Sequence, residues 1–312
     1  MSGKIDQHTN TPIVSVIVPC YNYANYLTEA LNSVMNQTFI DWECIIIDDG
    51  STDNSKKIAN EFVSKDNRFS YHCQDNSGLS VARNKGLGLA KGKFIQFLDA
   101  DDVLASKKFE VQVRLFNKYP KADVLYCDYE LMSEDGKEKW NNKKTNWIEI
   151  KGDPFRCFLN KWEKGFSIPI HCNLFRSKCF NTIKFDEKLP THEDIDLQLR
   201  LSSSGTVYEY VDEVLVYYRV HNASMARNYT RMHLGYLMAL LNALRIENIG
   251  FANKLRIIHR YNQEYRNAWF SVVKRRKMNI WKVLFLKGAL LINIEATLVL
   301  TIYVLFRLLQ MF

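Results

Sequence analysis

No Cys-x-x-Cys pair occurs among the seven cysteines (Cys20, Cys44, Cys73, Cys127, Cys157, Cys172 and Cys179), and their odd number leaves no complete disulfide framework. Several sit in apolar runs such as Val18-Pro19-Cys20 and Leu125-Tyr126-Cys127, which reads as buried thiols in a reducing cytosol and speaks against a zinc knuckle. Met1–Asn10 is polar and lacks the apolar core of a secretory signal, so the bulk of the chain is expected on the cytoplasmic side. No Gly-x-Gly-x-x-Gly follows the first strand-like run, where the chain reads Pro19-Cys20-Tyr21-Asn22; that argues against a dinucleotide-binding oxidoreductase. Internal repeats and long low-complexity segments are missing too. What is present is 47% hydrophobic residues over 312 positions, enough for a large core plus an appendage.

The net charge of +8 is unevenly spread: Ala226–Phe312 carries fourteen Lys or Arg against three Glu, leaving Met1–Met225 at −3. Within this basic region Lys274-Arg275-Arg276-Lys277 and Trp281 precede an apolar stretch, Gly288–Phe306, interrupted by Glu295. A bilayer span needs about 20 apolar residues, and a central carboxylate costs about 2.5–3.5 kcal/mol on insertion scales, which surrounding Leu and Ile can offset. Three readings stay open: a span, a helix lying in the membrane interface, and a helical pair packed on the rest of the chain or on a second copy in a homo-oligomer. Membrane contact through 274–312 is preferred to nucleic acid, because the basic residues adjoin an apolar run.

From Thr11 the chain alternates strand-like and helix-like segments. The pattern predicts strands at Val14–Val18, Trp42–Ile47, Phe69–Cys73, Lys93–Leu98 and Asp123–Tyr129, and helices at Asn25–Met35, Ser55–Val63, Leu79–Leu89 and Phe109–Tyr119. Such winding implies an α/β fold with a mostly parallel sheet and ligands at the strands' carboxyl ends. Ser133–Asn146 reads as a polar loop or hairpin, Ile150–Val220 as a mixed region, and the chain from Met225 as helical.

Two predicted strands end in acids. Phe94-Ile95-Gln96-Phe97-Leu98 runs into Asp99-Ala100-Asp101-Asp102, three carboxylates within four positions. Left unpaired they would repel one another, so a hard divalent cation between them and a ligand's phosphates accounts for the arrangement better than a solvated turn. The second is Ile45-Ile46-Ile47-Asp48-Asp49-Gly50-Ser51-Thr52-Asp53. Two carboxylate-tipped strands in one parallel sheet describe a nucleoside-diphosphate cleft. Asp49, fixed at a strand end, can accept the N3 hydrogen of uracil, which cytosine lacks; Asp48 and Asp53 are better read as caps of the following turn and helix.

With Ser33-Val34-Met35-Asn36-Gln37-Thr38, Ser80-Val81-Ala82-Arg83-Asn84-Lys85-Gly86, His192-Glu193-Asp194-Ile195-Asp196-Leu197 and Tyr218-Arg219-Val220-His221 added in order, residues 12–225 resemble the family 2 glycosyltransferases of GT-A fold. The resemblance implies a GT-A catalytic domain at 12–225, after a flexible 1–11 and before a helical appendage at 226–312. It implies an inverting, metal-dependent transfer of a sugar from a nucleoside diphosphate, UDP by the Asp49 argument, to a hydroxyl of a glycan or lipid-linked acceptor in cell-surface polysaccharide synthesis at the inner membrane face. The rival is a non-catalytic membrane-bound assembly protein that keeps the fold. On this resemblance Pro19, Tyr21, Asp49, Arg83, Asp99 and Ala100 bind the donor, Arg83 through the pyrophosphate and Tyr21 by stacking on the base, where plain packing is the alternative. Asp101, Asp99 and His221 hold Mg or Mn, Asp194 is the catalytic base, and Glu193 supports the site. Acceptor choice falls to Ser133–Phe175, where Trp147, Trp162 and Phe166 either stack on sugar rings or belong to the core.

Overall fold

The computed structural model describes residues 11–141, 150, 152–162, 166–222 and 224–274. The expectations for Met1–Asn10, Trp147 and the membrane contact through the basic cluster beyond Lys274 and 288–306 fall outside them. The chain divides into two units: one runs to Leu189 and resumes from Glu193 to Arg227, and the other comprises Pro190–His192 and the chain from Asn228.

The first unit is a nine-stranded sheet among the described residues, in the order β3 (Phe69–Cys73), β2 (Trp42–Asp48), β1 (Val14–Cys20), β4 (Phe94–Phe97), β8 (Asn173–Arg176), β6 (Val124–Met132), β9 (Tyr208–Arg219) and β5 (Val103–Leu104), with β7 (Lys139–Asn141) paired to β6. β1 to β4 are mutually parallel, β8 lies antiparallel to both β4 and β6, and β9 is parallel to β6. Six strands therefore share one direction, and their carboxyl ends line one edge. The β-branched run of β1 is buried at every position, as a strand covered on both faces must be. Ser133–Asn146 opens as a hairpin, turned at Gly136 (φ 74°), whose return strand is β7.

Helices seat the loops at that edge. In α1 (Ala24–Met35) the buried Leu27, Ala30, Leu31 and Val34 recur at helical spacing, and each buried leucine contributes roughly 1.5–3 kcal/mol. α3 (Leu79–Leu89) lies so close to β1 that a Cβ on Gly86 would stand 2.3 Å from Ile17 Cγ2, and this approach turns Arg83 inward. α2 (Ser55–Lys65) and α1 both start on Asp53, whose carboxylate accepts from the Ser55 and Ala24 amides, each at 2.9 Å. Register shifts in the β6–β9 pairing at Cys127/Asp128 and Asp128/Tyr129 bend these strands beside the acidic edge, a usual place for a bulge.

Trp162 and Phe166 are buried around Phe158, with ring centroids 6.2 Å from it; the core reading holds for both. In the second unit α7 (Tyr229–Leu244) begins at Asn228, whose side chain accepts from the Arg231 amide. α8 (Gly250–Lys274) pairs Arg260 with Glu264 at 3.1 Å, and Arg260 Nε donates to the Tyr236 hydroxyl. None of the described helices is long and apolar enough to cross a membrane.

Candidate active site

The acid pair ending β2 is engaged by neutral donors. Asp48 accepts from the Ser51 amide at 2.8 Å and from the Tyr71 hydroxyl at 2.7 Å. Asp49 accepts three bonds of 2.8 Å, from Gln74 Nε2 and from the amides of Ser77 and Gly78. Gly78 sits at φ 99°, a conformation open to glycine, so the loop after β3 wraps onto Asp49. The turn itself needs Gly50, at φ 80°, because a Cβ there would meet the Asn76 nitrogen at 2.9 Å. Tyr21 is 46% exposed, whereas Pro19 and Ala100 are buried and offer a ligand little surface.

The cluster after β4 is different: each of its carboxylates faces a nitrogen base. Arg83 Nη2 donates to Asp99 Oδ1 at 2.6 Å, His221 Nε2 lies 2.8 Å from Asp101 Oδ2, and His171 Nδ1 lies 2.9 Å from Asp102 Oδ2. The repulsion inferred from the sequence is thus answered largely by the protein's own bases. Burial alone would raise the Asp99 pKa, but Arg83 and His171 outweigh it and hold the carboxyl well below the usual carboxylate range. Asp102 goes the other way: burial pushes it up to about 6, Asp101 and Asp99 add to the rise, and His171 opposes it. His171, wholly buried, would be lowered by desolvation; Asp102 and Asp99 raise it instead to about 10.

His171 was passed over by sequence reasoning. Its signal was a lone ionisable residue in the apolar run Ile168-Pro169-Ile170-His171, a position that demands a buried partner. Arg219 was visible only as a letter of the Tyr-Arg-x-His motif. It is 2% exposed, its amide donates to Asp102 Oδ1 at 2.8 Å and its Nε to the Asp101 carbonyl at 2.7 Å, with Glu29 pairing the same guanidinium. β9 therefore clamps the acidic loop before delivering His221 to it.

Arg83 is 1% exposed and holds two carboxylates, Asp99 and, through Nη1 at 2.6 Å, Glu193. The pyrophosphate contact expected of it meets a guanidinium whose two ends are already committed. Glu193 and Asp194 open α6 (Glu193–Ser203), where Asp194 is half-buried and accepts the Ile195 amide at 2.8 Å. His192 packs on Tyr236 in the second unit, as a core histidine does.

Which residues can hold a cation follows from this geometry. Mg or Mn binds donors at about 2.0–2.1 Å, so two neighbouring ligand atoms of one ion stand about 3 Å apart. The 2.8 Å between His221 Nε2 and Asp101 Oδ2 matches that, and Asp99, 30% exposed at its side chain, has its second oxygen off Arg83. Asp99, Asp102 and His171 also bring ligand atoms within 4.8 Å of one another. Full burial of His171 and Asp102, and their direct pairing, make that trio the floor of the site instead.

The site is thus a carboxylate cluster at the carboxyl edge of an α/β sheet, tied through Arg83 to the helix that bears Asp194. The profile of Glycosyl transferase family 2 matches residues 15–183, and the chain belongs to that family of inverting glycosyltransferases. An uncharacterised glycosyltransferase of Rickettsia typhi is 33% identical over 70% of this chain and 67% of its own length. The minor teichoic acid biosynthesis protein GgaB of Bacillus subtilis is 33% identical over 66% of this chain but only 23% of its own. Among solved structures, TarS of S. aureus in complex with UDP-GlcNAc aligns with a TM-score of 0.67 and 20% identity, over 91% of this chain and 81% of that one. The mannosyltransferase PcManGT of Pyrobaculum calidifontis, in complex with GDP-Man and Mn2+, aligns at 0.62 and 15%, over the same shares.

Proposed function

We propose that the chain transfers a sugar from a UDP-sugar to a hydroxyl of a glycan or lipid-linked acceptor, with inversion at the anomeric carbon, in the building of a cell-surface polymer. The observation that carries it is the joining, through Arg83, of the acidic strand end to the turn that bears Asp194. The named relatives and neighbours support the setting: one takes part in teichoic acid synthesis, one binds UDP-GlcNAc and one binds GDP-Man with Mn2+.

Asp101, Asp99 and His221 would hold Mg or Mn, whose charge stabilises the negative charge that develops on the leaving diphosphate. Asp194 takes the proton of the acceptor hydroxyl. The freed oxygen pair bonds to the anomeric carbon as that carbon's bond to the diphosphate oxygen breaks, and the bonding pair leaves with the diphosphate. A single base with no second carboxylate nucleophile gives one displacement and an inverted product. Tyr21 stacks on the uracil, and Asp49 reads its N3 hydrogen through the lone pair left after its three loop bonds. Reaction at the cytoplasmic membrane face, reached through the basic region 274–312, completes the reading.

The test is a donor screen that measures nucleoside-diphosphate release with and without divalent metal, followed by Asp194→Asn. We expect metal-dependent release of UDP. Asp194→Asn should keep donor and metal affinity and lose turnover by about 10²–10⁴-fold, the worth of a positioned base. Retained anomeric configuration in the fresh product by proton NMR, or near-normal turnover in the variant, would remove Asp194 from the role.

A further inference from the structure

Arg83 joins Asp99, 16 residues further on, to Glu193, 110 residues further on. Nη2 donates to Asp99 at the end of β4 and Nη1 to Glu193 at the start of α6, both at 2.6 Å. A guanidinium is planar and presents its N–H groups in a fixed fork, so one side chain can brace two carboxylates at a set separation, which an ammonium cannot do. The fork sits 5.2 Å above the Phe185 ring, on a helix whose Gly86 lies against Ile17. Glu193 is itself buried at 8% exposure, and Asp194 is the next residue.

We propose that Arg83 is a positioning residue: it braces the donor-side carboxylate against the helix that carries the base, and it does not ligate the diphosphate. Withdrawing the fork to a phosphate would strand the Glu193 carboxylate in a buried place without its cation, and the turn bearing Asp194 would lose its tether. Donor binding and proton removal are thereby held in one geometry, so that the base stands ready only where Asp99 is in place. The proposal rests on Asp194 being the base, but its central measurement does not.

That measurement compares uridine with UDP by calorimetry in Mn2+, for the wild type, Arg83→Lys and Glu193→Ala; guanosine and GDP replace them if the donor screen selects guanine. For a brace, the affinity gained by adding the diphosphate to the nucleoside stays within about threefold of wild type in Arg83→Lys. Transfer kcat falls by about 10–100-fold in each variant while donor KM changes little, and the double variant is no worse than the poorer single, since both remove one interaction. Water also captures a larger share of the donor, so the ratio of transfer to donor hydrolysis drops. A tenfold or greater loss of the diphosphate increment in Arg83→Lys, or normal kcat in Glu193→Ala, overturns the proposal. If Arg83→Lys does not fold, Glu193→Ala decides, because it leaves the Arg83–Asp99 pair intact. Should Asp194→Asn prove active, the base assignment fails while the comparison of UDP with uridine still rules on Arg83.

Discussion

The two acidic strand ends, Asp48–Asp53 and Asp99–Asp102, look alike as text and differ in what answers their charge. Asp48, Asp49 and Asp53 accept from amides, a glutamine and a tyrosine hydroxyl, all neutral. Asp99, Asp101 and Asp102 face Arg83, His221 and His171. Neutral donors spend a carboxylate's lone pairs on shaping a loop. Basic side chains keep several negative charges close together at little electrostatic cost, and an imidazole can give way to a cation because its nitrogen is itself a metal ligand. The first end therefore builds the wall of the cleft and the second its charged centre.

The hardest blow to this contrast should come from Asp101→Asn. Removing one charged ligand of a hard cation is expected to lower metal-dependent transfer by about 10³-fold or more, several kcal/mol of lost charge stabilisation, with the melting temperature little changed. Transfer rates in a Mn2+ titration, with and without excess chelator, check it; full activity in chelator would end the metal assignment.

Asp49→Ala should instead cost both shape and binding. Three donors lose their acceptor, for about 1–3 kcal/mol of stability after water replaces part of the contact. UDP affinity is expected to fall at least about tenfold, with inorganic pyrophosphate nearly unaffected, because the proposed partner is the base. Equal losses for the two ligands in calorimetry would leave Asp49 a loop anchor alone.

A pH experiment separates the ends without substrate. His171 has its folded pKa raised to about 10 from 6.5, so its stabilising contribution is full below pH 6.5 and is lost as pH rises through about 10. Asp102, raised to about 6 from 3.8, prefers its protonated form, and its ionisation above pH 6 leans on that imidazolium. In metal-free protein the melting-temperature gap between wild type and His171→Gln should therefore be largest below pH 6.5 and shrink as pH rises toward 10. A constant gap would show that the pair is held by packing and not by charge.

The smallest effect belongs to Asp48→Asn. The amide keeps one acceptor for the Ser51 N–H, and the Tyr71 hydroxyl can turn to accept from its NH2, so about 1 kcal/mol of stability is expected to go, with turnover per folded molecule unchanged. Denaturant melts beside transfer rates measure it. A loss of turnover without a loss of stability would bring Asp48 into the chemistry and blur the contrast.

Local pattern made much of this legible. β-branched runs, helical spacing in α1 to α3 and in the helix Lys108–Lys118, and the acid-tipped strands are short-range signals, and the strand polarity that aligns the carboxyl ends follows from helical crossovers. The reversed β8 was not legible, since no pattern marks a strand that enters a parallel sheet backwards. Nor was the commitment of Arg83, because an arginine on a helix reads the same whether it meets water, a phosphate or two buried acids.

By itself the sequence determined most elements up to Tyr129, the family and the acidic positions, since these rest on residue types and spacings along the chain. Only the tertiary structure decided the partners. His171, 72 positions after Asp99, and His221, 120 after Asp101, come to the cluster because β8 and β9 join the same sheet edge. A carboxylate's charge state and task are set by what lies within about 4 Å of it, and for these acids the answering charges come from segments far away in the chain.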